Sequence, residues 1–383
     1  MKQNVAILAF YYGPRLGIGV YIDKLVSQLR RQLPEDFKLT LYTNKNTMRN
    51  SQADFSGIRV VQSKMLNLGS IAAVLWSAIV FPVVCFLKRY EVSAILSNPI
   101  VVMPMRKTIS VVHDLNEFEM TSKYGRLRTF YRKRIMLPSA LSQSSAIVAT
   151  SEFVKGQIKR HFPRVRQDKI QVIKIGVEVV EVIDGDVRAV LDEYKLARQH
   201  YYLIVGRIDP NGKNLYEAVK LYRKLGSRHK GHRLILVGGI NDFCRAQADE
   251  FLSWIDSQED LRGNVSYLGY VDERRLVCLY RGARAAIFFS RYEGFGLPMI
   301  EAFKVGCPVI YNSRCEVLRD HAEGAGFEID ENDSEDDVGH KVADLYDDAM
   351  RAGLVNQMSS VANGYDWAKC AGQFAELIRV MAK

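Results

Sequence analysis

Residues 4–11, Val-Ala-Ile-Leu-Ala-Phe-Tyr-Tyr, form an unbroken apolar run about one strand long. Runs apolar on both faces belong to buried parallel strands. A loop with Gly13, Pro14, Gly17 and Gly19 follows, and apolar residues then recur at helical spacing from Tyr21 to Gln32. Residues 38–43, 94–96, 108–113 and 146–150 predict further strands with helical stretches between them. The alternation restarts at Tyr201, with strands predicted at 201–206, 233–237, 265–268 and 285–289 and helices at 214–225, 272–280, 335–348 and 367–381. Strands alternating with helices imply parallel sheets covered on both faces. Two such rounds in 383 residues predict an α/β chain of two domains. Folds of this kind take their ligands at the C-terminal edges of the strands, here in a cleft between the two sheets.

Met65 to Leu87 contains no charged residue and is long enough to span a bilayer. Asn67, Gly69, Ser70, Ser77 and Pro82 interrupt it, and Lys88-Arg89 leads directly into a strand-like run. The segment reads as a buried or surface-lying helix rather than a transmembrane span.

Charge changes the picture more than composition does. Residues 1–180 hold 27 Lys+Arg against 11 Asp+Glu, whereas the rest of the chain is acidic on balance, within a net +10. Such a split favours an anionic partner that meets only the first half, and nucleic acid, an acidic membrane surface and a phosphorylated acceptor all qualify. No RRM, KH or helix-turn-helix pattern supports nucleic acid. The six cysteines include no CxxC pair, so neither a zinc site nor a disulfide framework is indicated, and a reducing cytoplasm is expected. The N-terminal residues lack a signal-peptide cleavage pattern.

The densest candidate for chemistry is Ser290-Arg-Tyr-Glu-Gly-Phe-Gly-Leu-Pro-Met-Ile-Glu-Ala302. Gly294 and Gly296 let a ligand approach the backbone, and the helix that begins there offers partial positive charge to a phosphate. Glu293 falls at the mouth of this turn and Glu301 about one helical turn inside; carboxylates accept hydrogen bonds from sugar and ribose hydroxyls. A second loop, Val205-Gly-Arg-Ile-Asp-Pro-Asn-Gly-Lys-Asn-Leu215, places Arg207 and Lys213 between a strand and a helix, where two cations could hold a diphosphate. Gly17-Ile-Gly19 looks like part of a dinucleotide fingerprint but lacks its third glycine, and Tyr42-Thr-Asn-Lys45 supplies no acid for an adenosine ribose, which argues against a dehydrogenase. His113-Asp114 ends a predicted strand and faces the expected cleft. Asp184-Gly-Asp186 has the look of a metal-binding pair but follows no strand, and reads as a solvated turn.

Together these residues resemble glycosyltransferase family 4, the retaining enzymes of the GT-B fold, in which two Rossmann-like domains turn their parallel sheets to a central cleft. Glu293 to Glu301 matches that family's E-x7-E signature, and Val205-Gly-Arg207 with Lys213-Asn-Leu215 its phosphate-gripping loop. Tyr267-Leu-Gly-Tyr-Val271 matches the segment near the nucleobase, Leu279 to Ala283 the helix before the signature, Ser151-Glu-Phe153 the end of the first domain, and Gly17-Ile-Gly19 the glycine loop. The chain departs from the family at Ile175-Gly176, where an Asn-Gly pair is usual, and at Ser313-Arg-Cys-Glu316, where a Leu-Pro-Glu run is usual.

The resemblance implies an acceptor-binding domain over 1–176, a nucleotide-sugar domain over 177–365, and a helix over 366–383 packing back towards the first domain. It implies that Glu293 holds the donor sugar and Glu301 the ribose. Arg207 and Lys213 would neutralise the diphosphate with help from the N–H groups of Phe295, Gly296 and Leu297, while His113 would contact the sugar near its reacting carbon. The expected activity is retaining, metal-independent transfer of a hexose of mannose, rhamnose or glucose type in bacterial polysaccharide or lipopolysaccharide synthesis. No cofactor is expected. The expected partners are a nucleotide diphosphate sugar, a glycan or lipid-linked acceptor and an anionic membrane surface, with the protein peripheral on the inner face of the plasma membrane. His113-Asp-Leu115 is similar to the mannosyl- and rhamnosyltransferases of the family. The alternatives are a sugar-nucleotide epimerase, which the E-x7-E signature fits less well, and a non-catalytic assembly subunit, which would typically have lost Glu293, Arg207 or Lys213.

Overall fold

A computed structural model describes residues 3–11, 17–97, 103, 105–115, 118, 126–228 and 231–383. The chain forms two compact units, one of Met1–Gly176 with Tyr365–Lys383 and one of Val177–Gly364.

The first unit holds β1 (Gln3–Leu8), β2 (Phe37–Thr43), β3 (Arg59–Gln62), β4 (Val92–Ile95), β5 (Thr108–Val112), β6 (Ala146–Ala149) and β7 (Ile170–Val172). They make one parallel sheet in the order β3-β2-β1-β4-β5-β6-β7. The apolar run of β1 continues to Tyr11, but the strand stops at Leu8. Past that point side chains take over the backbone donors: Phe10 N donates to Ser97 Oγ and Tyr11 N to Thr47 Oγ1. The helix Gly17–Gln32 buries Tyr21, Ile22, Leu25, Val26 and Leu29, and the C-terminal helix Trp367–Ala382 packs along it. At Ile175-Gly176 the glycine shared with the family pattern is required, because a Cβ there would come within 2.5 Å of Trp367, while the departing residue, Ile175, is buried. Tyr365 goes with this unit too, its ring 4.9 Å from the Lys174 ammonium.

The uncharged stretch is broken into a 3-10 turn (Met65–Asn67), a helix (Ser70–Leu75), a π-turn (Trp76–Val80) and a helix (Phe81–Leu87). Among the described residues no helix is long and apolar enough to cross a membrane. Pro82 accounts for the π-turn: it has no N–H, its ring crowds the carbonyl four residues back, and a wider turn relieves both. The same device recurs at Arg132–Met136, ahead of Pro138 in the helix Leu137–Gln143. One face of 70–87 buries Ala73, Trp76, Phe81 and Cys85 against Ala6, Leu8, Tyr42 and Ile95.

The second unit holds β8 (Tyr201–Val205), β9 (Arg233–Val237), β10 (Val265–Tyr267), β11 (Ala285–Phe288), β12 (Val309–Asn312) and β13 (Phe327–Ile329), parallel in the order β10-β9-β8-β11-β12-β13. Chain connections leave β8 and β11 in opposite directions, so the loops after these neighbours flank a crevice. The solvated turn expected at Asp184-Gly-Asp186 is instead the first turn of the helix Asp184–Glu193. Asp186 caps it by accepting the Ile183 N–H at 3.0 Å, and Arg274 and Arg281 pair with Asp186 and Asp184. These carboxylates serve the helix terminus, which favours negative charge.

Candidate active site

Both motif loops leave the C-terminal ends of adjacent strands in the second unit. After β8, Gly206 sits at φ 140°, and Gly238 after β9 at φ 148°; a Cβ on Gly238 would lie 1.9 Å from the Gly206 carbonyl oxygen. Only glycine allows this approach. Asp209, buried, turns the loop back by accepting the Gly212 N–H at 2.9 Å, and its carbonyl accepts the Lys213 N–H. Asn214 closes the turn at φ 54° before the helix Leu215–Arg228 begins. Lys213 is thereby held at the strand end, its stem 3.5 Å from where a Gly206 Cβ would lie.

After β11 the chain passes Ser290 and Glu293 to Gly296, which caps the helix Leu297–Lys304 at φ 73°, with Pro298 in the first turn. A Cβ on Gly296 would press within 2.9 Å of Leu318, and Phe295 packs its ring 4.8 Å from that of His321. Gly294 and Leu297 are half-buried on either side of this seat.

The two loops meet. Lys213 Nζ donates to Glu293 Oε1 at 2.5 Å, and Ser290 Oγ donates to the same oxygen at 2.7 Å. The Lys213 and Glu293 side chains are 24% and 18% exposed, so the pair is sheltered yet reachable. Arg207, half-buried, lies on the first of these loops. One turn inside the helix, Glu301 is half-buried and its carboxyl is pushed up to about 7, chiefly by desolvation and secondarily by the Glu273 carboxylate. Val271, buried, follows the β10 loop, where Gly238 N donates to Gly269 O and Tyr267 Oη to Gly238 O; Tyr270 between them is 79% exposed.

Glu331 is the residue that sequence reasoning missed. It is almost fully buried and accepts from Asn214 Nδ2, from Asn312 Nδ2 and, through both oxygens, from the Arg291 guanidinium. The arginine first, and then Asn312, hold its carboxyl below the usual range. This one carboxylate ties the loop ending at Asn214 to the loop containing Arg291.

The other predicted site residues belong to the first unit. His113 follows β5; its Nε2 lies 2.8 Å from the Leu96 carbonyl and its ring meets Tyr21 edge-on at 4.8 Å. Burial holds its pKa below the ordinary value, so the ring is neutral. A carbonyl can only accept, so Nε2 carries the proton and Nδ1 is left as an acceptor. Gly19 is buried where a Cβ would sit 3.0 Å from the Tyr11 ring, whereas Gly17 faces open space. Among the described residues no group of three or more His, Cys, Asp or Glu side chains could hold a metal ion.

A family model described as glycosyl transferases group 1 matches residues 192–362. O-antigen chain mannosyltransferase B of Escherichia coli is 28% identical over 271 residues, 70% of this chain and 69% of that protein. O-antigen chain mannosyltransferase RfbU of Salmonella typhimurium is 28% identical over 206 residues, 54% of this chain and 52% of that protein. Among solved structures, Anabaena HepE in complex with UDP and glucose superposes with a TM-score of 0.75 at 16% identity, covering 99% of this chain and 100% of HepE. WaaG, a glycosyltransferase involved in lipopolysaccharide biosynthesis, gives 0.67 at 15% identity over 98% and 99%.

Proposed function

We propose that this chain, a glycosyltransferase of the GT-B fold whose residues 192–362 belong to glycosyl transferases group 1, moves a mannose-type hexose from a nucleoside diphosphate to a glycan or lipid-linked acceptor, with retention of configuration and without a metal. The observation that carries this reading is the Lys213–Glu293 pair, which brings the two motif loops together at the crevice between β8 and β11.

Arg207 and Lys213 neutralise the diphosphate, and the helix beginning at Leu297 adds partial positive charge through its first N–H groups. Glu293, whose Oε1 is already held by Lys213 and Ser290, orients the donor sugar through its hydroxyls. Glu301 accepts the ribose hydroxyls as a carboxylate. His113 offers Nδ1 to the sugar near its reacting carbon. As the bond from the anomeric carbon to the phosphate oxygen breaks, its electron pair goes to the phosphate, where the two cations stabilise the growing charge. The acceptor oxygen bonds to the same face of that carbon, and its proton passes to the departing phosphate oxygen. No group in this scheme requires a metal, because side-chain cations occupy that role. Gly17 and Gly19 let the sugar diphosphate pass close to the backbone, and the acceptor-binding unit is proposed to work at an anionic membrane surface on the cytoplasmic face.

The test is transfer from a panel of nucleoside diphosphate sugars carrying mannose, rhamnose and glucose to a water-soluble acceptor. Anomeric configuration is read by NMR. Product of retained configuration from the mannose donor is expected. Inverted product, or donor epimerised without transfer, would refute the proposal.

A further inference from the structure

We propose that segment 65–87 is a membrane-docking face, and that its exposed apolar stripe enters the interface of an anionic phospholipid bilayer. Ile71 and Phe86 are each 80% exposed, Leu68 74%, Leu87 72%, Ile79 50% and Leu75 49%. Single exposed apolar residues are ordinary, but a continuous row of them on one helical face marks an interaction surface. The row cannot be hidden by rolling the helix, because its opposite face already buries Trp76 and Phe81 in the core of the unit.

Charge selects the occupant. No charged side chain lies between Met65 and Leu87, while Lys64 at one end and Lys88 and Arg89 at the other are all exposed. An apolar stripe bracketed by cations places hydrocarbon at the acyl boundary and ammonium and guanidinium groups at the phosphates. The helical run through Leu137–Gln143 extends the pattern. It joins the same core through Ala140, and its preceding turns expose Phe130 and Ile135 beside Arg134. A protein groove could accept the leucines and isoleucines, but it gives no reason for cations at both ends and an excess of basic residues throughout residues 1–180.

This inference rests on the membrane-side part of the proposed function and adds that apolar insertion, rather than attraction by the basic segment 123–134 with its six Lys and Arg residues, holds the protein. The test uses the full chain and sedimentation with vesicles of phosphatidylcholine alone or mixed with phosphatidylglycerol, at low and high salt. Wild type is expected to bind the anionic vesicles and to stay substantially bound at high salt. The double variant Phe86→Ser, Leu87→Ser is expected to lose about tenfold in partitioning. It should be fully released by salt, with an unchanged melting temperature and unchanged transfer to a water-soluble acceptor. Wild-type-like binding of that variant, or complete release of wild type by salt, would overturn the inference. So would a wild-type dimer in lipid-free ultracentrifugation that the double variant turns into a monomer, since the face would then meet a second copy. Binding lost only when Arg128, Arg132 and Lys133 become glutamate would favour the basic segment instead. The soluble transfer assay scores the glycosyltransferase reading separately.

Discussion

The two units share a strand order. β3-β2-β1-β4-β5-β6 in the first repeats as β10-β9-β8-β11-β12-β13 in the second, with β7 added to the first. Their surfaces were used differently. In the second unit the charged groups at the strand ends are paired with one another: Lys213 with Glu293, Arg291 with Glu331, Arg314 with Asp330. In the first, burial favours the neutral ring of His113 while a backbone carbonyl fixes its tautomer, and a helical layer turns leucine, isoleucine and phenylalanine outward between exposed cations. One scaffold thus supports a site that gathers charge into fixed geometry and a surface that leaves charge free to meet a partner. The fold dictates neither; loop and helix side chains do.

The comparison breaks if the two units cannot be separated by mutation. Lys213→Ala or Arg207→Ala should lower turnover at least a hundredfold, about 3 kcal/mol of transition-state stabilisation. Steady-state kinetics with a soluble acceptor would check this, while vesicle binding stays as in wild type. Near-normal turnover in either variant would remove that cation from the mechanism.

Glu331 tests whether the paired network of the second unit positions the loops or merely decorates them. Glu331→Ala strands Arg291, Asn214 and Asn312, and should cost about 2 kcal/mol of stability. It should also lower turnover roughly tenfold, with Glu331→Gln recovering part of both because it keeps the acceptor oxygen. Thermal denaturation beside kinetics reads this; a stability loss with full turnover would show that the tie is structural only.

Glu301 gives the pH dependence. Its carboxyl titrates near 4.5 in the unfolded chain and at about 7 in the ligand-free fold, so the fold holds the extra proton between those values. Its contribution to stability is therefore full below 4.5 and lost as pH rises through 7. Ribose hydroxyls are accepted best by the ionised form, so nucleoside diphosphate affinity should rise about tenfold between roughly pH 6 and 8, a change of about one pKa unit's worth of free energy. Calorimetric titration should find that slope in wild type and a flat profile in Glu301→Gln. The smallest expected effect is that of excess EDTA, which should leave turnover unchanged; loss of activity restored by magnesium would reverse the assignment of the diphosphate to side-chain cations.

Long buried strands were legible because their apolar runs are continuous: β1, β2, β8, β9 and β11 all lie where the pattern puts them. Among the edge strands β10 was legible at 265–268, whereas β3, β7 and β13 were not. β3 spans four residues with its two ends exposed, and β7 and β13 three each with an exposed middle residue, so no continuous apolar run marks them. The helix at Asp184 was hidden because its capping acid follows the cap rather than forming it. The motif loops were visible from glycine placement and charge, and the meeting of Lys213 with Glu293 follows from β8 lying beside β11. Glu331 had no local signal. Its partners stand 117, 40 and 19 residues away, and an acid at the end of a short strand looks like any other.

The π-turn at Trp76–Val80 also sets the direction of the outward row. Along an unbroken α-helix, residues four apart drift about 40° per step around the axis. Ile71, Leu75, Ile79 and Val83 are spaced in this way, and the wider turn takes up the drift that would otherwise wind them towards the core. The segment thus behaves as a helix carrying one surplus residue. Deleting a single residue between Trp76 and Val80 would remove that surplus and restore an even pitch, leaving Phe81 and Cys85 on the core face and Phe86 and Leu87 in the row. Inserting a second residue there would instead rotate everything beyond it by about 100°, swinging Phe86 and Leu87 off the row and Phe81 and Cys85 out of the core. Reading-frame-neutral gain of one codon here would therefore be more damaging than replacement of any one of these outward residues.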